Sequence, residues 1–561
     1  MHATILVLTL LLCVAASAVI LRVSRLPLPL TQIALGAAVT IPEHGIYVDL
    51  EPHLFLLLFV PPLLFADGWR MPKREFFQMR ERILGLAFGL VLFTVVAVGS
   101  LLHWMVPGLP LAAAFALAAV LSPTDAVAVS AVAGRAGIPK RLMYVLEGEA
   151  LMNDASGLTA FKFAVAAAMT GAFSLSAASL DFGFVAVGGL LFGIAMGWGM
   201  ALFQKWLASW NQVQAQGIIV MTLLLPFATY LLAEEFGTSG ILAAVAAGMT
   251  LNLKSDTDAN SASGAETRIA TTHMWRMMEY VLNGVIFVLM GMQLPDIIGE
   301  ALTDSFYEGG LRDTSELLIY SVATWFALFV TRLIWVWGLL HVTHLVGRLR
   351  GTTTGPRQRP RKRLVVATAL AGVRGAITLA GVLSVPLLLD NGSEFPQRSL
   401  MIFIAASVIL ISLIMAAVGL PWLLRGMTVD EDPEEQEEQA ARIRACEAAV
   451  AAIANASRQD DPNHDEAASD PSPISAAASR LIQAYQSRIT TLRVDEAAAE
   501  GLLERSAADR MLRLVGVRAE REEVMRLHRE DEINDVVLNA LLYEIDMRET
   551  ALSTSSRKRE H

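Results

Sequence analysis

Long apolar runs separated by short polar connections extend from the start of this chain to about residue 425. Most are close to the 20 or so residues that an α-helix needs to cross a hydrocarbon core about 30 Å thick. We count thirteen runs and therefore predict an all-α membrane protein with 13 transmembrane helices. The predicted spans lie near residues 3–22, 27–41, 53–69, 82–106, 110–134, 142–170, 179–205, 214–233, 237–252, 277–296, 316–346, 364–389 and 398–425.

The apolar pattern ends abruptly after the last run. Residues 427–561 hold 29 Asp and Glu against 17 Lys and Arg, whereas the rest of the chain has a net charge of +2. The overall charge of −10 therefore comes from the tail and does not indicate a nucleic-acid partner. We predict a transmembrane domain at 1–425 and a small, acidic, helical cytoplasmic tail at 426–561, with a polar linker at 456–475. Tail helices are predicted at 440–455, 476–493, 497–529 and 533–549.

The charges of the connections orient the membrane domain. Lys and Arg are concentrated in alternate connections, above all at 70–82 and 348–363, and the intervening connections are acidic or neutral. With 13 spans the two sets lie on opposite sides, which places the N-terminus outside and the tail in the cytoplasm of a cell-membrane protein. Spans 1–6 and 8–13 can then form two inverted repeats, in which the fifth and twelfth spans correspond.

Two predicted helices contain residues that interrupt helices. The fifth contains Ser122-Pro123-Thr124-Asp125, and the twelfth contains Gly372-Val373-Arg374-Gly375. In a helix interior Gly costs about 1 kcal/mol and Pro about 3 kcal/mol, so both helices are predicted to be discontinuous. Membrane helices tolerate Gly and Pro in general, which explains either break alone. It does not explain a charged residue at each break, at matching places in the two halves.

Carboxylates within these spans predict an ion site, because a charge at that depth is costly and is rarely present without a function. Asp125 follows the break at Pro123, where freed carbonyl oxygens and Thr124 can bind a hard cation. The alternative for Asp125 is a buried helix cap. Asp154, in the sixth span, is predicted to face the same site. A carboxylate that holds either a proton or a cation makes the two compete, and this competition is an exchange mechanism.

Other polar residues of the spans are predicted to support the site. Glu149 and Asn153 lie four residues apart on one helix face, so Asp154 points to a different neighbour. We predict that Glu149 pairs with Arg374, because an unpaired buried guanidinium is far more costly, and we interpret the pair as structural.

Asp67 ends the third span. Three roles are open for it: it lines a cytoplasmic funnel, binds a water of the site, or ends the helix at the interface. Glu279, Asn283 and Arg332 are further intramembrane polar residues, each as consistent with a packing hydrogen bond as with an ion pathway.

Four segments together resemble the cation:proton antiporter-1 family, which includes animal sodium/proton exchangers and their bacterial and archaeal relatives. They are Pro61–Asp67, Ser122–Asp125, Glu149–Asp154 and Gly372–Gly375. The resemblance covers about residues 1–425. It implies 13 or so spans in inverted repeats, crossed discontinuous helices and a homodimer.

The resemblance also implies roles for individual residues. Asp154 would bind the cation and the proton alternately, and Thr124 and Asp125 would complete the site. Asn153 would bond to the unwound stretch, and an Asn at this position is associated with electroneutral, one-for-one exchange.

Two residues depart from the family pattern. Many relatives have Ser where this chain has Ala150, and Pro where it has Ala126. A missing hydroxyl removes one candidate ligand, so the preference for Na⁺ over K⁺ is inferred from the family alone. The resemblance again implies a salt bridge between Glu149 and Arg374.

These patterns predict a secondary antiporter that exchanges a monovalent cation, Na⁺ or else Li⁺ or K⁺, for H⁺. We expect no cofactor besides the transported ions, and membrane lipid and a second copy of the chain as partners. A K⁺-preferring antiporter is the closest alternative. A cation channel suits buried alternating carboxylates less well. An intramembrane aspartyl protease lacks a peptide-binding signature, so we do not expect an enzyme.

Overall fold

The computed structural model describes most of the chain and divides it into two compact units, Met1–Met427 and Thr428–His561. It describes residues 2–23, 26–40, 52–133, 139–170, 175–208, 215–255, 262–307, 314–349, 362–390, 392–425, 433–459, 473–493 and 496–530, with a few positions between 532 and 552. The connection 42–51, most of the basic loop 348–363 and most of the linker 456–475 lie outside the described residues.

The regular elements of the first unit are all helices within its described residues, apart from one isolated bridge between Leu388 and Glu394, as expected for a chain that must satisfy its backbone hydrogen bonds without water. Its helices are α1 (His2–Val23), α2 (Leu28–Thr40), α3 (Pro52–Arg70), α4 (Lys73–Leu84), α5 (Val91–Met105), α6 (Leu111–Leu121), α7 (Ala126–Ala133), α8 (Lys140–Thr170), α9 (Leu175–Ala208), α10 (Ala215–Glu235), α11 (Gly240–Ser255), α12 (Ala262–Tyr307), α13 (Thr314–Leu349), α14 (Lys362–Leu370), α15 (Ala376–Leu383) and α16 (Arg398–Leu424).

Helical structure is present on every predicted apolar segment. Among the described residues, seven helices are long and apolar enough to cross a membrane, and the bent pair α6 and α7 makes an eighth candidate span. Two further apolar helices, at 28–40 and 240–253, are shorter. The described residues thus establish an all-helical membrane fold with seven or eight candidate spans, whereas the count of 13 and the repeats remain predictions.

A π-helical segment, Gly85–Leu90, joins α4 to α5. The Ser156 hydroxyl on α8 donates a hydrogen bond of 2.5 Å to the carbonyl oxygen of Ala87. The Trp335 indole on α13 donates one of 3.0 Å to the carbonyl oxygen of Gly85. A π turn changes the helical backbone bonding, and here two of its carbonyl oxygens bind side chains of neighbouring helices.

Helices α3 and α11 pack backbone to backbone. A Cβ on Gly68 would lie 2.5 Å from the carbonyl oxygen of Val245, so only glycine fits there. Phe65, one turn earlier, is fully buried and packs on Trp275 of α12 with ring centroids 5.0 Å apart. These contacts fix the end of α3, which carries Asp67.

The second unit contains three of the predicted tail helices. They are α17 (Pro433–Gln459), α18 (Pro473–Arg493) and α19 (Glu496–Arg529). Exposed ion pairs are present here, such as that between Arg526 Nη2 and Glu523 Oε1 at 2.7 Å.

Candidate ion-binding site

The interruption between α6 and α7 follows from its residues. The helix ends at Leu121, and the axis bends by 50° across the next four residues. Pro123 has no N–H to continue the helical bonding. The carboxylate of Asp125 then accepts a hydrogen bond of 2.9 Å from the backbone N–H of Ala128, in the first turn of α7. Asp125 is therefore a helix cap, the alternative noted above, and its carboxylate also lies in the cavity described below.

The second interruption, between α14 and α15, lies directly against the first. The backbone N–H of Asp125 donates a hydrogen bond of 2.8 Å to the carbonyl oxygen of Val373. In the other direction, Arg374 Nε donates one of 2.9 Å to the carbonyl oxygen of Leu121. The two unwound stretches, distant in sequence, thus satisfy each other's backbone groups in a region without helical bonding.

Helix α8 contributes the third part of the site. Asn153 Nδ2 donates a hydrogen bond of 2.9 Å to Thr124 Oγ1, which is the contact to the unwound stretch that the resemblance implies. Asp154 is buried, with 8% of its surface exposed. No described residue forms a hydrogen bond with its carboxylate. The carboxylates of Asp125 and Asp67 are close enough to repel it electrostatically.

These residues line one cavity of about 350 Å³. Thr124, Asp125 and Asp154, which the sequence predicts to form the ion site, all line it, and so does Asp67, for which three roles were open. A cavity with carboxylate, hydroxyl and carbonyl oxygens offers the ligand type that hard cations prefer.

The predicted pairing of Glu149 with Arg374 is wrong in this structure. Arg332, on α13, donates to both carboxylate oxygens of Glu149, with its Nη2 at 2.7 Å from Oε2. Arg332 Nε also donates to the carbonyl oxygen of Thr368 at 3.1 Å. Glu149 and Asp154 are five residues apart, about 140° around the helix, so Glu149 points to α13 while Asp154 faces the cavity.

Carbonyl oxygens of both interruptions accept the hydrogen bonds of the Arg374 guanidinium, and Glu149 interacts with it electrostatically without a direct ion pair. Arg374 Nε contacts Leu121 and its Nη1 contacts the carbonyl oxygen of Gly372. Among the described residues that line the cavity, its neighbour Gly375 is present beside Asp125, whereas Arg374 is not.

The mouth of the cavity contains a cluster of charged side chains, Asp67, Arg70 and Glu279, that was not predicted from the sequence. Arg70 Nη2 lies 2.9 Å from Asp67 Oδ1 and 2.7 Å from Glu279 Oε1, and Arg70 Nη1 lies 2.7 Å from Glu279 Oε2. The signal was present in part, because Asp67 and Arg70 are one helical turn apart and Glu279 was recognised as an intramembrane carboxylate.

A family model described as "Sodium/hydrogen exchanger, transmembrane" matches residues 7–426. The chain belongs to this family. The match covers the whole described part of the membrane unit after the first turn of α1, including every residue of the exchanger's cavity.

Three bacterial proteins that are similar to most of this chain are named as exchangers or antiporters. The chain is 42% identical over 557 residues to the uncharacterized Na⁺/H⁺ exchanger YjcE of Escherichia coli K12, covering 98% of each chain. It is 42% identical over 444 residues to a sodium, potassium, lithium and rubidium/H⁺ antiporter of Bacillus pumilus, covering 78% of this chain and 64% of that one. The Bacillus subtilis antiporter of the same name is 36% identical, with 95% and 76% covered.

The fold is also similar to a solved structure. The sodium proton antiporter MjNhaP1 of Methanocaldococcus jannaschii matches 76% of this chain and 99% of its own, with a TM-score of 0.55 and 17% identity. At that identity the match supports the antiporter fold of the exchanger.

Proposed function

We propose that this exchanger moves a monovalent cation and H⁺ in opposite directions, with cation and proton competing at Asp154. The observation that supports this most strongly is the state of that side chain. It is buried in a cavity beside Asp125 and Asp67, and no described residue forms a hydrogen bond with it. A carboxylate in such a place gains from either a proton or a cation, because each neutralises a charge that the surroundings leave uncompensated.

Asp125 has a different task in this proposal. The N–H of Ala128 holds its carboxylate at the start of α7, where the helix dipole favours a negative charge. In this proposal Asp125 keeps its charge through the cycle and, with Thr124, supplies ligands to the cation. Asn153 is neutral and orients Thr124. One carboxylate that titrates and one that does not give one-for-one, electroneutral exchange.

The proposed architecture has 13 spans in two inverted repeats, with the interrupted helices α6–α7 and α14–α15 at equivalent places. The hydrogen bonds between the two interruptions support this arrangement. Alternating access then moves the helices that carry the site relative to the rest. We further propose a homodimer in the cell membrane, with the N-terminus outside and the tail in the cytoplasm.

The cation is Na⁺ in the first version of this proposal. A second version, with K⁺ preferred or accepted equally, is favoured by one feature of the site. Ala150 lines the cavity without a hydroxyl, so the cation has one candidate ligand fewer. The names of the two Bacillus relatives, which include potassium, lithium and rubidium, also support a broad selectivity.

Everted vesicles or proteoliposomes with an internal acid load and a pH-sensitive dye test the proposal. Addition of Na⁺, Li⁺ or K⁺ should release protons, and the order of half-saturating concentrations gives the selectivity. Choline is the control cation. Absence of cation-dependent proton release with all three ions would reject antiport. Proton movement that follows voltage without a counter-ion gradient would indicate a channel instead.

A further inference from the structure

The cavity has an uneven charge distribution. Of the described residues that line it, only Arg70 is positively charged, whereas five carry carboxyl groups. The five are Asp67, Asp125, Glu147, Asp154 and Glu279. A cavity with one predominant sign of charge concentrates ions of the opposite sign, so its single guanidinium has a large influence on cation entry.

Arg70 is held at the mouth by a specific geometry. Both of its terminal nitrogens contact the Glu279 carboxylate at 2.7 Å, and one also contacts Asp67 at 2.9 Å. A forked, charge-assisted pair of this kind fixes the position of the guanidinium. The Glu279 side chain is 10% exposed and that of Arg70 is 41% exposed. Glu279 therefore lies on the inner side of the pair, and Arg70 lies on the side that is open to solvent.

We propose that Arg70 is a fixed counter-charge that sets the affinity of the cavity for the transported cation, an inference that rests on the function proposed above. A guanidinium does not lose its proton in proteins, and it cannot leave with the transported ion. It therefore repels each incoming cation and occupies carboxylate oxygens of Asp67 that would otherwise attract one. Arg70 acts on the ion through the field of the cavity, so it is an affinity-determining residue and not a ligand.

The competing role is a purely structural one, in which Arg70 only connects α3 to α12. The two roles predict different kinetics. Loss of a structural contact lowers the maximal rate or the yield and leaves the cation affinity unchanged or weaker. Loss of a repulsive charge strengthens the apparent affinity, and water and salt moderate the effect.

The experiment measures cation-dependent proton release in proteoliposomes at alkaline pH, where protons compete least. In Arg70→Gln, the half-saturating Na⁺ concentration should fall by about three- to tenfold, the range expected when a like charge is removed from a partly hydrated site. Arg70→Lys keeps the charge without the fork and should stay close to the wild type. Impermeant choline chloride should reduce the difference between Arg70→Gln and the wild type.

A charge-balanced double variant separates the two roles. Arg70→Gln/Glu279→Gln removes one charge of each sign, so its half-saturating concentration should return towards that of the wild type. The matched control is Lys162→Gln, which breaks the exposed ion pair of Lys162 with Glu234 at 3.0 Å, away from the cavity. This control should leave the half-saturating concentration unchanged.

Three results would overturn the inference: an unchanged or raised half-saturating concentration in Arg70→Gln, a double variant that behaves like Arg70→Gln, or an equal change in Lys162→Gln. If Arg70→Gln alone does not fold, the double variant is compared with Glu279→Gln. Removal of Arg70 should again lower the half-saturating concentration, and an equal value would reject the inference. A wild type without any exchange would reject the proposed function itself, which is a distinguishable result.

Discussion

The backbone N–H of Asp125 donates a hydrogen bond of 2.8 Å to the carbonyl oxygen of Val373 and so joins the two interrupted helices at the cavity. This bond fixes the backbone of the residue whose carboxylate caps α7. Any movement of α14 and α15 relative to α6 and α7 must therefore break it or carry Asp125 along. The position of the carboxylate thus depends on both interruptions.

Asp154→Asn should abolish exchange. The change removes both the negative charge and the titratable proton but keeps the shape of the side chain, so we expect a folded protein with less than about a tenth of the wild-type rate. Proton release from everted vesicles measures the rate, and size-exclusion chromatography in detergent checks the fold. A variant that retains more activity would show that Asp154 is not the exchanging carboxylate.

Arg332→Ala should destabilise the protein strongly. It leaves the Glu149 carboxylate buried without its partner, which costs roughly 3–5 kcal/mol when a buried pair is broken from one side. A lower melting temperature in detergent, together with lower yield, is the expected result. The double change Glu149→Gln/Arg332→Gln should recover part of the loss, and failure to do so would argue that the pair does not stabilise through charge.

Gly375→Ala should impair exchange by displacing Asp125. A Cβ at this position would lie 2.6 Å from the Cβ and Cγ of Asp125 and would contact its Oδ2, so the carboxylate must move. We expect a rate at least about tenfold lower, as for other small displacements of reacting groups. Gly338→Ala is the control, because a Cβ there meets nothing within 4 Å. Equal rates in both variants would contradict the close packing of the two interruptions.

Ala150→Ser should strengthen Na⁺ binding. The new hydroxyl would enter the cavity and add one neutral oxygen ligand, worth about 0.5–1.5 kcal/mol if it behaves as an ordinary hydrogen-bonding group. The half-saturating Na⁺ concentration should fall by about two- to tenfold and that of K⁺ by less. Ala160→Ser, on the same helix but outside the cavity lining, controls for the added polarity. An unchanged ratio of Na⁺ to K⁺ affinities would exclude this hydroxyl as a ligand.

An imposed membrane potential should not change the steady exchange rate. The potential acts on net charge moved, at about 2.3 kcal/mol per charge per 100 mV, and an exchange of one cation for one proton moves none. Proteoliposomes with balanced Na⁺ and H⁺ gradients and no K⁺, in which a gradient of a permeant anion such as thiocyanate sets the potential, provide the measurement. A current on solid-supported membranes that scales with transport would show that a second proton moves, and Asp67 would be the first residue to test.

Much of the site was predictable because local chemistry determines it. Pro123 and the glycines around Arg374 disfavour a continuous helix, and Asp154 is five residues from Glu149 on any α-helix. Proline alone does not determine the break, because Pro61 and Pro226 lie inside continuous helices. The partner of Glu149 was not predictable in this way. Two buried guanidinium groups were available, and the choice of Arg332 depends on the rotation of α13 relative to α8, which the sequence of either helix does not contain.

Arg70 illustrates a second limit. In the sequence, Arg70 is one charge of a basic connection and indicates only the orientation of the chain in the membrane. The structure places it at the mouth of the cavity. That position results from the packing of α3 on α11 and α12, where Gly68 and Phe65 fix the end of the helix. The π-helical segment was not predicted either, since the residues at 85–90 are ordinary apolar residues for a membrane helix.

That segment has a consequence for how the sequence can vary. A π turn takes up about one residue more than an α turn, so deleting a single residue between Gly85 and Leu90 would let the segment return to regular α geometry without a large rotation of α5 relative to α4. Ser156 and Trp335 would then lose their acceptors. A Cβ at Gly89 would clash with the indole ring of Trp335, so residue type is restricted there as well. Homologous proteins should therefore keep both the number of residues across this segment and a glycine at position 89.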